Sequence, residues 1–130
     1  MCQPARLRFV SLFVPDLAAA TKRYEALLGI EPVPKAQSAP AHHPFAAAGP
    51  VVFPLGDVAL ALYQCDQQTT HPGDVGFGLE GDVAARARVI REQQGRVFWG
   101  PRATEAGQRL AIGMLPDRHF FELVDEPEDP

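Results

Sequence analysis

The sequence predicts an α+β domain assembled from two tandem modules, each a strand, a helix and then further strands. Three observations point to it. The stretch FVSLFVPDLAAATKRYEALLG, from Phe9 to Gly29, returns in degenerate form as VGFGLEGDVAARARVIREQQG from Val75 to Gly95. In both copies an aspartate stands where a helix would begin and a glycine where it would stop, with equal spacing from Asp16 to Gly29 and from Asp82 to Gly95. A chain of 130 residues that is 46% hydrophobic can bury one sizeable core but not two independent ones, so both copies belong to a single domain spanning 1–130.

In the first module, about residues 6–66, Phe9, Val10, Leu12, Phe13 and Val14 form a short apolar run that reads as a strand buried on both faces. Pro15 ends it, having no backbone donor for a ladder. Asp16 is placed to accept from the free N–H groups of the next turn, and its charge suits the helix dipole. Leu17, Thr21, Tyr24, Leu27 and Leu28 then recur on one helical face, and Gly29 closes the helix in a left-handed conformation. Residues 31–49 carry Pro32, Pro34, Pro40 and Pro44 among small residues, which predicts a long loop or an irregular edge strand. A loop of that length in a small domain fits a lid, and it holds His42 and His43. These are either a solvated surface pair or side chains that swing over a ligand. Val51–Leu55 and Val58–Gln64 read as strands joined by a Gly56-Asp57 turn.

Residues 67–74 form the linker, with His71 solvated. The second module, about 75–125, repeats the logic: Phe77 and Leu79 in a strand, Asp82 as cap, Val83, Ala87 and Ile90 on the buried helix face, and Gly95 as the stop. Strands are expected at Arg96–Trp99, Arg109–Met114 and His119–Val124, with a polar loop over 100–108 and a turn at Pro116-Asp117-Arg118. The acidic, proline-rich tail, 126–130, has the composition of a disordered end.

A net charge of -4 and a pI near 5.5, with no basic cluster, argue against a nucleic-acid partner. The apolar runs fall short of the roughly 20 residues that cross a bilayer, and MCQPARLR lacks a signal-peptide core, so no membrane partner and a cytoplasmic location are expected. Cys2 and Cys65 provide neither a disulfide framework nor metal spacing and read as reduced thiols.

Two strand–helix–strand–strand–strand modules in tandem, with VPDLAAATKRYEALLGIEPV, VVFPLGDVALALYQ and MLPDRHFFELVDE, resemble the vicinal oxygen chelate superfamily, the glyoxalase / bleomycin resistance / extradiol dioxygenase group. Within it, PLGDVALALYQ and GPRATEAG...LPDRHFFELVDE look most like methylmalonyl-CoA epimerases. The resemblance implies two βαβββ modules forming a curled, eight-stranded mixed sheet with an open cleft, usually a homodimer, with a divalent metal on the cleft floor. Its metal ligands come from the first and last strands of each module. Carried over by position, they fall on Phe9, on Gly76 or Val75, on Ala61 and on Glu122. Gly76 is preferred to Val75 because Phe77 and Leu79 then face the helix while Gly76 and Gly78 face the cleft.

Only Glu122 among those positions can donate a lone pair, whereas a transition-metal site needs about three protein groups. The expectation is therefore a metal-free protein without a cofactor; the alternative is a divalent metal, with nitrogen ligands from a domain-swapped partner or the His42-His43 loop. With Phe9 on the floor, the cleft becomes apolar and partly aromatic. Residues of its parity are Leu7, Ser11 and Phe13 on the first strand, Ala59, Ala61 and Tyr63 on the fourth, and Phe120, Glu122 and Val124 on the last; Trp99 and Met114 flank them. The expected pocket is Phe9, Ser11, Phe13, Ala61, Tyr63, Gly76, Gly78, Trp99, Met114 and Phe120, binding a small hydrophobic or aromatic molecule. Each of these aromatics is equally accounted for by core packing. His119 faces away from the cleft. Against the binding reading stands a lyase, epimerase or dioxygenase using Glu122 as metal ligand or as a base whose pKa desolvation raises.

Overall fold

A computed structural model of the protein describes residues 4–33, 43–103 and 108–125. In chain order these form β1 (Arg6–Val14), α1 (Leu17–Leu28), β2 (Ala46–Leu55), β3 (Val58–Cys65), β4 (Val75–Glu80), α2 (Val83–Glu92), β5 (Arg96–Ala103), β6 (Arg109–Met114) and β7 (Phe120–Val124). The strands make one mixed sheet in the order β2-β3-β1-β4-β7-β6-β5. β1 runs parallel to β3 and β4 parallel to β7, and the two pairs meet along the antiparallel β1–β4 seam. Antiparallel pairing adds β2 to β3, and β6 with β5 to β7.

Eight strands were expected and seven form among the described residues. Of the segment that would supply another, residues 34–42 lie outside the described ones, and Val33 makes a single antiparallel bridge with Val52. Pro32, immediately before it, has no N–H to extend a ladder. The sheet is not closed into a barrel: β2 and β5 lie at its two edges. Several strands run longer than expected, β2 and β5 by the most. β2 begins at Ala46, and β5 continues through Gly100 and Pro101 to Ala103 instead of giving way to a loop, with irregular pairing on either side of Trp99. The tail, 126–130, lies outside the described residues, as does His42.

Both helices begin where the aspartates indicate. Asp16 accepts from the N–H of Ala19 and Asp82 from that of Ala85, each at 3.1 Å. Gly29 closes α1 at φ 71, its N–H donating to the Glu25 carbonyl. Gly95 does not close α2. That helix ends at Glu92, the left-handed conformation falls on Gln94 (φ 68), and Gly95 is needed for a close approach: a Cβ there would lie 2.4 Å from the backbone oxygen of Met114. The buried face of α1 is also narrower than its periodicity implies. Leu17, Ala20, Tyr24 and Leu28 pack on Phe53 and Leu62, whereas Leu27 is 77% exposed because the helix rests on the sheet along one stripe only. Gln64 sets the exit of the chain from β1 into α1: its side chain accepts from the N–H of Leu17 and donates to the carbonyls of Val14 and Pro15.

The two helices share a face of the sheet. Leu12, beneath α1, and Leu79, beneath α2, lie on that side, since Val10 pairs with Phe77 and side chains alternate along each strand. Among the described residues the opposite face has no helix. Its buried cluster joins Val52, Ala59, Phe9, Val124, Leu110 and Ile112, drawn from strands β2, β3, β1, β7 and β6. For side chains from strands so far apart in the sheet to touch, the sheet must curl, and the candidate site lies inside the curl.

Candidate functional site

Alternation along β7 turns Phe120, Glu122 and Val124 toward the inside of the curl. Register then places Glu122 opposite Gly78 on β4 and Ile112 on β6. Its carboxylate is fully buried. The hydroxyl of Ser11 on β1 donates to Oε2 at 2.7 Å, and Nε2 of His43 lies 2.9 Å from Oε1. That second contact has ion-pair length but is not aligned as a hydrogen bond, and among the described residues neither atom has a hydrogen-bond partner. Nδ1 of His43 accepts from the N–H of Phe45 at 3.1 Å, and the ring meets Phe13 and Tyr63 edge-on, with centroids at 5.1 and 5.2 Å. Burial, with the negative Glu122 adding to it, pushes the Tyr63 hydroxyl well above its ordinary pKa, so the phenol stays neutral.

The reading of His43 as a solvated residue is therefore corrected: it has no exposed surface. The prolines and small residues around it in the sequence read as a surface loop, and the carboxylate that draws the imidazole inward belongs to the far end of the chain. A histidine followed two residues later by an aromatic is too common a pattern to have disclosed this.

The residues expected to line the pocket do share one face, but they divide into two groups. Phe9, Ser11, Ala61 and Tyr63 have no exposed surface and Phe13 only 1%, so these are core and not walls of an open cleft. Gly76 and Gly78 make room for the protein's own side chains and not for a ligand. A Cβ at Gly78 would sit 2.4 Å from the ring of Phe9, and one at Gly76 would sit 2.6 Å from Phe120 and 2.7 Å from Glu122 Oε1. Leu7 leaves the group, because an irregularity between it and Phe9 pairs it with Leu79 and leaves it 46% exposed. Trp99 is half-buried against the core, with the Arg102 guanidinium 5.1 Å over its ring. Met114 and Phe120 do line open space. They border a cavity of about 320 Å³ with Phe45, Phe98 and Ile112, to which Thr69, Thr70, Asp74 and Arg118 add polar groups. His71 is exposed, and His119 lies on the outer side, its ring 6.5 Å from that of Phe77.

Thr69 and Thr70 are held at the cavity by a turn built on Asp66. Slight burial raises the Asp66 pKa, but N–H groups of Thr70, Gln68 and Thr69 and the Thr70 hydroxyl outweigh it and lower the value to about 2. A carboxyl depressed on folding stabilises the native state above its unfolded pKa of about 3.9, and that contribution is lost as pH falls toward 2. Asp66→Asn is expected to flatten the acid side of the stability–pH curve. Urea midpoints at several pH values below 5 measure it, and an unchanged slope would show that the turn carries no linked proton.

No protein-family model matches the chain, and neither does any curated protein. Solved structures do. Methylmalonyl-CoA epimerase from Streptomyces coelicolor, in complex with 2-nitronate-propionyl-CoA, superposes with a TM-score of 0.63 at 21% identity, covering 98% of this chain and 100% of that one. The Mycobacterium tuberculosis epimerase gives 0.63 at 20% identity over 95% and 88% of the two chains. A hypothetical protein from Bacillus halodurans C-125 gives 0.71 at 11% identity, over 98% and 99%. This chain has the vicinal oxygen chelate fold.

The metal that the resemblance implies for this fold can be tested against the residues present. Of the four positions it assigns, Phe9, Ala61 and Gly76 have no donor side chain. The ring of Phe9 also covers Gly78, which lies between it and Glu122 in one cross-strand row. Among the described residues no three His, Cys, Asp or Glu side chains converge. Zinc and its neighbours require about three such groups, so these residues do not fit a metal of the vicinal oxygen chelate type.

Proposed function

We propose that this protein binds a small, largely apolar organic molecule in the cavity beside β6 and β7, without a metal. The observation that carries the reading is the composition of the cavity. Three phenylalanines, an isoleucine and a methionine surround it, with a few polar groups to fix orientation, and its volume lies at the lower end of the roughly 300–1,000 Å³ usual for ligand pockets. Glu122, the carboxylate that the resemblance puts forward as a general base, is fully buried, with both oxygens in contact with groups of the protein. A base must come within hydrogen-bond reach of the proton it removes. An epimerase-like or lyase reading therefore requires that floor to be uncovered first.

Calorimetric titration with 1-naphthol and with 4-phenylphenol tests the binding reading. Saturable binding is expected, and Met114→Trp, which places an indole in the cavity, is expected to weaken it by about tenfold or more, equivalent to about 1.4 kcal/mol. If neither probe binds, or if both bind the variant as well as the parent, the cavity is not the site. Turnover of an acyl-CoA thioester by metal-free protein, abolished in Glu122→Gln, would favour the enzymatic reading.

A further inference from the structure

A carboxylate with no access to water must be balanced by a cation, a proton or well-placed donors, because an unpaired buried charge costs several kcal/mol. We propose that His43 is the built-in counter-group of Glu122: its imidazole takes the place of a bound cation and thereby latches the segment entering β2 onto the sheet floor. Such a latch operates whether or not the cavity binds a ligand.

The placement of donors and acceptors around the imidazole points to it. Nδ1 accepts the Phe45 N–H, so the proton of a neutral ring resides on Nε2, the atom 2.9 Å from Glu122 Oε1. For Nε2 to ligate a metal, that proton would have to move to Nδ1, where it would oppose the N–H of Phe45, donor against donor. Metal-bound histidines show the reverse arrangement, their second nitrogen donating to an acceptor. The other carboxylate oxygen is already occupied by the Ser11 hydroxyl. His43 and Glu122 each bury completely and, among the described residues, have only one another at the facing atoms, which is the situation of a matched pair and not of two ligands awaiting a third. The latch has mechanical consequences. The His43 carbonyl accepts from the N–H of Ala46, and the Phe45 carbonyl accepts from the Thr70 hydroxyl, so the imidazole anchors a turn whose Phe45 ring is a wall of the cavity.

The test combines double substitution with metal analysis. His43→Leu strands a buried carboxylate and is expected to lower Tm by on the order of 10 °C. Adding Glu122→Gln to it removes the stranded charge and is expected to recover much of that loss, which a role of His43 in packing alone would not produce. His43→Gln, which keeps a donor, should lie between the parent and His43→Leu and gives the comparison should His43→Leu fail to fold. The parent protein is expected to contain far less than one equivalent of zinc, manganese, cobalt or nickel, and its Tm should not change with EDTA or with added zinc. Stoichiometric metal, a Tm lowered by EDTA, or a double variant no more stable than His43→Leu would overturn the proposal.

Discussion

Glu122→Ala is expected to cost about 3–5 kcal/mol of stability, among the largest effects of any single substitution in this chain. The carboxylate is buried without exposed surface and serves two groups at once, the Ser11 hydroxyl at 2.7 Å and the His43 Nε2 at 2.9 Å. Truncation takes the acceptor from the Ser11 hydroxyl and the ion-pair partner from His43 in a dry interior, where an unsatisfied polar atom costs about 1–3 kcal/mol, and it leaves a void beside Gly76 as well. Glu122→Gln keeps an acceptor oxygen for Ser11 and is expected to lose considerably less. Denaturant midpoints for the two variants, with m-values unchanged, measure the difference. A Glu122→Ala protein as stable as its parent would mean that the floor is wet and the carboxylate solvated, contrary to its burial.

Phe9 and Gly78 form the second test, since each is explained only by the other. Phe9→Ala should cost about 3–5 kcal/mol, because it empties the centre of the concave cluster. Gly78→Ala should cost about 1–3 kcal/mol by overpacking, since the new methyl group would lie 2.4 Å from two atoms of the Phe9 ring. The double variant Phe9→Ala/Gly78→Ala is expected to be more stable than the sum of the two losses implies, because the second methyl enters space that the first change vacated. A coupling energy above about 0.5 kcal/mol in the double-mutant cycle is the expected reading. Strict additivity would show that the ring does not cover Gly78.

Much of this arrangement is legible in the amino-acid sequence. The repeated aspartates mark both helix starts because an N-cap is a local device, made by a side chain and the N–H three residues on. Strand alternation places Phe9, Ser11, Phe13, Ala61, Tyr63, Phe120 and Glu122 on one face because that period is a property of the extended backbone. Local signals mislead where a partner from elsewhere makes the decision. The helical spacing of Leu27 matches a buried face, yet the sheet supports only a stripe of α1 and the leucine stays in water. Gly95 reads as a helix stop, but the reason for glycine there is the carbonyl of Met114 on another strand.

Interactions between near neighbours, together with residue chemistry, dictate the kind of fold, the two helix starts, most of the side chains on the inner face of the sheet (Leu7 excepted), and the scarcity of metal donors at the expected ligand positions. All four can be read from the order of the amino acids. Three further outcomes belong to the folded molecule: most of that inner face is solid core, the open space lies beside Met114 and Phe120, and His43 meets Glu122. They depend on how far the sheet curls and on contacts between residues distant in the chain, as between Ser11 and Glu122, 111 residues apart. No period or spacing encodes such a meeting.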